Sequence, residues 1–97
     1  MNKVYKKPWE NGKKTIFPDI AGWSAISTSK EERPGYEYTH FIFDNRSKNV
    51  AFINANGVLS IIGTDRNSYK TDRKFKPSTE LKQAVRYVYL MLQNPIS

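Results

Sequence analysis

The sequence predicts an α+β domain in which an antiparallel β-meander of four to six strands is followed by one C-terminal helix packed on one face. Short runs rich in β-branched and aromatic residues, divided by turn-forming residues, fill the first two-thirds of the chain. An Asn-Gly pair at residues 56–57 separates two of these runs, as in a β-hairpin. From Leu81 onward, apolar residues recur at the period of an α-helix. A sheet and an amphipathic helix each bury one apolar surface, so the two are expected to form two layers.

The chain of 97 residues has no repeat and no dividing linker, so a single domain over residues 1–97 is expected. Apolar residues make up 38% and aromatic residues 13%, which suffices for a packed core and is too much for a disordered chain. No apolar run approaches the ~20 residues of a membrane helix. The basic N-terminus is not followed by the apolar segment of a secretory signal. A cytoplasmic protein is therefore expected.

The first expected element is a basic ribbon over residues 3–17. Asn11-Gly12 suits a two-residue type I′ turn, because both central residues of that turn need a positive φ. Pro8 has no N–H to donate to a sheet, so we expect this ribbon at an edge. One tryptophan lies among its five lysines, which are Lys3, Lys6, Lys7, Lys13 and Lys14 around Trp9.

The meander is expected over residues 22–62. Turn-forming segments divide it into four strands, which run over residues 22–29, 36–43, 50–54 and 58–62. The last two strands are apolar on both faces, so we expect this hairpin at the centre of the sheet, covered on two sides.

Residues 63–77 are expected to form a long irregular loop, because charged residues dominate them. A helix over residues 78–93 follows, with Ser78 or Thr79 as its cap. Its apolar stripe consists of Leu81, Ala84, Val85, Val88 and Leu92.

Positive charge is the strongest global signal. Sixteen Lys and Arg against nine Asp and Glu give a net charge of +7. Residues 1–14 contain five Lys and one Glu, and residues 63–97 contain seven basic and three acidic groups, whereas the middle of the chain is slightly acidic. Basic residues clustered in this way are typical of nucleic-acid binding.

The loop at 63–77 is the first candidate site. Its Lys and Arg side chains can neutralise phosphates, and Tyr69 can stack on an unpaired base. Phe75 can either stack on a base in the same way or, because it lies beside the helix start, anchor that end of the helix to the core. A solvated loop whose charges are partly cancelled by Asp65 and Asp72 is the alternative. The candidate phosphate contacts are Arg66, Lys70, Arg73, Lys74 and Lys76.

The ribbon is the second candidate site, because two-stranded ribbons can enter a major groove. An edge strand protected from aggregation by lysines and a proline is its alternative. The candidate contacts are Lys6, Lys7, Trp9, Lys13 and Lys14. Nucleic-acid binding by both groups requires them to converge on one open patch.

Strict alternation places Tyr36, Tyr38 and His40 on one face of one strand, either as a stacking platform or as core. His40 is the only histidine, and Glu37 lies on the opposite face, so no acid–base pair is indicated. The chain has no cysteine, no metal-ligand spacing and no Gly-rich phosphate loop. No cofactor and no metal are therefore expected.

The leading hypothesis is a small, non-catalytic nucleic-acid-binding protein, with DNA and RNA left open. One alternative is an accessory protein of a phage or mobile element that binds and inhibits a host nucleic-acid-processing complex through an acidic surface. In that case Tyr87, Leu90 and Met91, which lie off or beside the main stripe, would contact the partner or form a homodimer through the helix. The other alternative is a metal-independent ribonuclease toxin that uses His40.

Overall fold

The computed structural model describes residues 12–28 and 38–93, and every structural statement below concerns those two stretches. Six strands form one antiparallel sheet in the order of the sequence, and one helix follows them, which confirms the α+β meander. The elements are β1 Lys13–Phe17, β2 Trp23–Ser27, β3 Tyr38–Phe43, β4 Asn49–Asn54, β5 Val58–Ile62, β6 Ser68–Lys74 and α1 Pro77–Gln93.

Consecutive antiparallel neighbours reverse the chain at alternate ends of the sheet. The β1–β2, β3–β4 and β5–β6 turns therefore lie at one end, called here the upper end. The β4–β5 turn lies at the opposite, lower end. Strands β1 and β6 are the two outer strands of this sheet.

The helix covers one face of the sheet. Its side chains Ala84, Val85 and Val88 are fully buried in the main apolar core. Trp23 of β2 meets Tyr89 of the helix edge to face, with ring centroids 5.4 Å apart. This contact has the geometry that aromatic quadrupoles favour. The strand residues of this core are Phe17, Trp23, Ala25, Ile42, Val50, Ala51, Ile53 and Leu59.

The β4–β5 hairpin occupies the inner position expected from its apolar faces. Residues that oppose each other across an antiparallel ladder share a face, so Phe41 of β3 and Phe52 of β4 lie together on the face away from the helix. Phe41 and Phe43 are only 3% and 4% exposed there, and Phe52 is half-buried. Side chains of the inner strands are thus covered on both faces.

The expectation of an irregular loop over residues 63–77 is wrong, because Ser68–Lys74 forms strand β6. Tyr69 and Thr71 alternate with charged residues, which is the strand period of two. Thr71 Oγ1 donates to Leu59 O at 2.9 Å, so a side chain joins the two strands where their register shifts. Lys and Arg are tolerated at an edge because their long side chains reach water.

The helix begins at Pro77, so Ser78 and Thr79 lie in its first turn and the expected caps are wrong. The Lys76 N–H instead donates to Glu80 Oε1 at 2.8 Å, and Glu80 itself has non-helical dihedral angles of −119° and 17°. Such a carboxylate satisfies a backbone donor that the start of a helix leaves free. Leu92, expected on the buried stripe, is 39% exposed.

Of the two alternatives for Phe75, the structure shows the anchor at the start of the helix. Its half-buried side chain packs against the main core, with its ring centroid 5.9 Å from that of Tyr87. The Phe75 N–H also donates to Gly57 O at 2.9 Å. The connection from β6 to the helix is therefore tied to the lower end of the sheet.

Candidate nucleic-acid interface

The two basic groups expected to converge lie, in their described parts, at opposite edges of the sheet. Lys13 and Lys14 belong to β1, and the other group belongs to β6 and its flanks. Five strand spacings separate these edges, which is about 24 Å. The convergence is therefore wrong for the described residues, because the meander places its first and last strands as far apart as the sheet allows. Lys6, Lys7 and Trp9 lie outside the described residues.

Strand β6 presents the denser cationic surface. All five of its expected phosphate contacts are exposed, and we call them the β6 group: Arg66, Lys70, Arg73, Lys74 and Lys76. Lys70 opposes Ser60, and Lys74 opposes Val58. Both lysines therefore project from the face away from the helix, about 13 Å apart along the strand. Arg73 turns to the helix side, where its guanidinium carbon lies 5.1 Å from the centre of the Tyr87 ring.

Among the described residues, no carboxylate forms an ion pair with the β6 group. Within residues 12–28 and 38–93, the ion pairs join Asp19 to Lys82 at 2.5 Å and to Arg86 at 3.9 Å, and the β6 group takes part in neither. The hydrogen bond from Lys82 is the main reason why the pKa of Asp19 is lowered. Lys82 and Arg86 also line a surface depression with Thr79 and Gln83. Lys82 and Arg86 thus lie on the helix and not on β6, and Asp19 partly neutralises their charge.

Tyr69 is exposed, but it is held against the turn that precedes it. Its hydroxyl donates to Asp65 Oδ2, which lowers the pKa of Asp65 and raises the pKa of Tyr69. A Cβ added to Gly63 would lie 2.9 Å from the Tyr69 ring, so the ring packs on the glycine backbone. The Asn67 N–H donates to Asp65 Oδ1 at 3.1 Å. The β5–β6 turn is therefore a braced structure, with 53% of Tyr69 exposed to solvent.

Three hairpin turns share one backbone design. In each, the N–H of the fourth residue donates to the carbonyl of the first, at distances of 2.9–3.0 Å. The fourth residue then has a positive φ, as in a hairpin turn closed by a G1 bulge. This residue is Ser47 with φ 63° in β3–β4, Gly57 with φ 84° in β4–β5 and Arg66 with φ 68° in β5–β6. Asn56-Gly57 therefore marks the expected hairpin, with only its glycine in the left-handed region.

Two exposed cations that were not among the predicted contacts lie at the same end of the sheet as Arg66. Arg46 and Lys48 belong to the β3–β4 turn, which lies at the upper end together with the β5–β6 turn. Two strand spacings separate the two turns, which is about 10 Å. The predicted meander already implied that these two turns share an end, since every second turn of a meander lies at the same end of the sheet.

The expected row of Tyr36, Tyr38 and His40 is interrupted. The register shifts between Tyr38, which opposes Asn54, and His40, which opposes Ile53, so simple alternation does not run through β3. Tyr36 lies outside the described residues. His40 is half-buried with Nδ1 2.8 Å from Thr39 Oγ1, and burial lowers its pKa. Within the described ranges, no group of three His, Cys, Asp or Glu side chains is arranged to hold a metal ion.

The expected partner contacts on the helix differ in accessibility. Tyr87 is half-buried and lies between Phe75 and Arg73, so it serves an intramolecular contact. Leu90 and Met91 are 52% and 42% exposed near the end of the helix. These two apolar side chains are accessible to another molecule.

Comparison with protein-family models, with curated proteins and with solved structures finds no match to this chain. The described part of the chain contains no helix that is both long and apolar enough to cross a membrane.

Proposed function

We propose that the protein is a small, non-catalytic nucleic-acid-binding protein that contacts phosphates with the β6 group. One observation carries this proposal: an exposed outer strand and its flanks present five Lys and Arg side chains that form no ion pair within the described residues. Each such cation can replace a condensed counterion on the nucleic acid, and the released ions favour binding.

The arrangement suits a linear polyanion. Lys70 and Lys74 lie on one face of the extended strand, about 13 Å apart, so these two cations are spread along a line and not gathered in one compact spot. Asp72 lies among them, while Asp65 accepts hydrogen bonds within its own turn. A phosphodiester backbone, with charges repeated along its length, matches this geometry better than a single small anion does.

Binding to labelled duplex DNA, single-stranded DNA and RNA, measured across a salt series, tests the proposal. Two variants that remove equal charge are compared, K74Q/K76Q at β6 and K13Q/K14Q at the opposite edge. We expect K74Q/K76Q to reduce the salt slope by about 1.8 on duplex DNA, or about 1.4 on single strands. These exposed positions should change the free energy of unfolding by no more than about 0.5 kcal/mol.

Two results would overturn the proposal. If the wild-type protein binds none of the three nucleic acids at low salt, it is not a nucleic-acid-binding protein. If both double variants lose the same affinity, overall charge and not β6 attracts the polyanion. A larger loss for K74Q/K76Q supports contact at β6.

A protein partner is the second candidate, favoured by the exposed Leu90 and Met91. Here the protein would be an accessory inhibitor that docks its helix end on a host complex, with the basic surface facing acidic residues of that complex. Capture of a defined nucleic-acid-processing complex by the wild-type protein, but not by L90E/M91E, would support this function. Capture that both proteins achieve equally would exclude the helix end as the contact.

A further inference from the structure

We infer that the upper end of the sheet is a phosphate-contact site formed by the β3–β4 and β5–β6 turns, with Arg46, Lys48 and Arg66 as its contacts. This inference rests on the proposed function, because it extends the nucleic-acid surface from the β6 group around the corner of the sheet. Arg66 belongs to both surfaces, since it precedes β6 directly at the β5–β6 turn. The ligand is the phosphate of a nucleic-acid backbone.

The first observation is backbone strain at the upper end. The position with positive φ carries Ser47 in one turn and Arg66 in the other, whereas the equivalent turn at the lower end carries Gly57. Residues with a Cβ rarely adopt this conformation, because the Cβ approaches the backbone carbonyl. Strained residues of this kind concentrate at functional sites, where the surrounding structure holds them in place.

The second observation is the bracing that holds Arg66 in this conformation. The Arg66 N–H donates to Gly63 O at 3.0 Å, and the Gly63 N–H donates to Asn67 O at 2.8 Å. The side chains of Asp65 and Tyr69 close the same turn. Arg66 is exposed at the tip of this turn. A guanidinium on a rigid backbone loses less freedom on binding than one on a mobile loop.

The third observation is the difference in charge between two turns of matched backbone design. The β3–β4 and β4–β5 turns are matched, since the first side chain of each accepts two backbone N–H groups: Asp44 from Arg46 and Lys48 at 2.8 and 2.9 Å, and Asn54 from residues 56 and 58 at 2.9 Å. The lower turn carries no charged side chain, whereas the upper turn carries Arg46 and Lys48. Of these two turns with the same backbone design, only the β3–β4 turn carries cations.

The β3–β4 and β5–β6 turns together form one surface at the upper end of the sheet. The two turns are about 10 Å apart across two strand spacings. The carboxylate of Asp44 is turned toward the backbone N–H groups of its own turn, while Arg46 and Lys48 are exposed. A backbone phosphate can therefore approach each turn from outside the sheet.

Single substitutions separate the effect of backbone strain on Tm from the effect of the Arg66 charge on binding. We expect R66G to relieve the strain and raise Tm by roughly 2–6 °C, while it weakens binding and lowers the salt slope by about 0.9 on duplex DNA. R66K keeps the charge and should retain most of the salt slope. S47G is the matched control, since it relieves the same backbone position in the β3–β4 turn and removes no charge. It should raise Tm and leave binding unchanged.

A pair of double variants tests the second turn. R46Q/K48Q should lower the salt slope by about 1.8 on duplex DNA. K82Q/R86Q removes the same formal charge from side chains that Asp19 already pairs, and it should lower the slope by much less.

Failure of this inference is distinguishable from failure of the proposed function. If wild-type protein binds nucleic acid and both R66G and R46Q/K48Q bind like wild type, the upper end is not a contact site. Binding at β6 is then still decided by the comparison of K74Q/K76Q with K13Q/K14Q. If R66G weakens binding while S47G weakens it equally, the turn backbone and not the guanidinium is responsible, which also overturns the inference. Absence of binding by the wild-type protein overturns both.

Discussion

Gly57 connects the lower-end turn to the chain that enters the helix, and its replacement by alanine tests how rigid that connection is. Gly57 has φ 84°, and a Cβ added there would lie 2.6 Å from Phe75 O. The Phe75 N–H donates to Gly57 O at 2.9 Å. The two backbones therefore approach each other too closely to admit a side chain at this glycine.

The expected cost of G57A has two parts. A Cβ in the left-handed region costs about 1 kcal/mol, since the L-residue penalty there is roughly 1–2 kcal/mol. The close contact must also push the backbone of Phe75 away from residue 57. This movement weakens the hydrogen bond from the Phe75 N–H to the carbonyl of residue 57, which is worth about 1 kcal/mol. It also disturbs the packing of the Phe75 ring against Tyr87. We expect a total loss of about 2–3 kcal/mol in the free energy of unfolding from these two parts.

G22A is a matched control within the same chain. Gly22 has φ 79°, nearly the same conformation, but nothing lies within 4 Å of the position of its Cβ. This variant should therefore lose only the backbone part, about 1 kcal/mol. Urea unfolding followed by tryptophan fluorescence measures both variants. With a slope of about 1.5 kcal/mol/M, G22A should lower the midpoint by about 0.7 M and G57A by about 1.3–2 M. Equal midpoints for the two variants would refute the close contact with Phe75.

Two further predictions concern pH and the helix. Burial lowers the pKa of His40, so its contribution to stability is fully present above the unfolded pKa, near 6.5. That contribution declines as the pH falls toward the lower folded pKa. H40N should flatten the fall of the urea midpoint between about pH 7.5 and 5, and an unchanged slope would contradict this. V88A removes two buried carbon atoms and should cost about 2 kcal/mol, whereas L90E/M91E should stay within about 0.5 kcal/mol in thermal unfolding. A large loss for L90E/M91E would show that Leu90 and Met91 are buried in solution.

Much of the fold was predictable because its signals are local. The Asn-Gly pair at residues 56–57 and the stripe of Ala84, Val85 and Val88 each indicate an element through a few neighbouring residues. Strand β6 was missed because its charges outweighed the alternation of Tyr69 and Thr71. An outer strand needs little apolar surface, so hydrophobic pattern identifies such strands poorly.

The candidate site was less predictable, since a site depends on which distant residues meet. The charged residues of β6 were recognisable in the chain, but their separation from Lys13 and Lys14 follows from the strand order. The location of Arg46 and Arg66 at the same end of the sheet follows from the same order, because every second turn of a meander returns to that end. The left-handed conformation of Arg66 depends on the closure of the β5–β6 hairpin. The local preference of arginine would not produce that conformation. Composition and periodicity therefore determine the charge, the element types and most turns, whereas strand pairing over long sequence distances determines which cations share a surface.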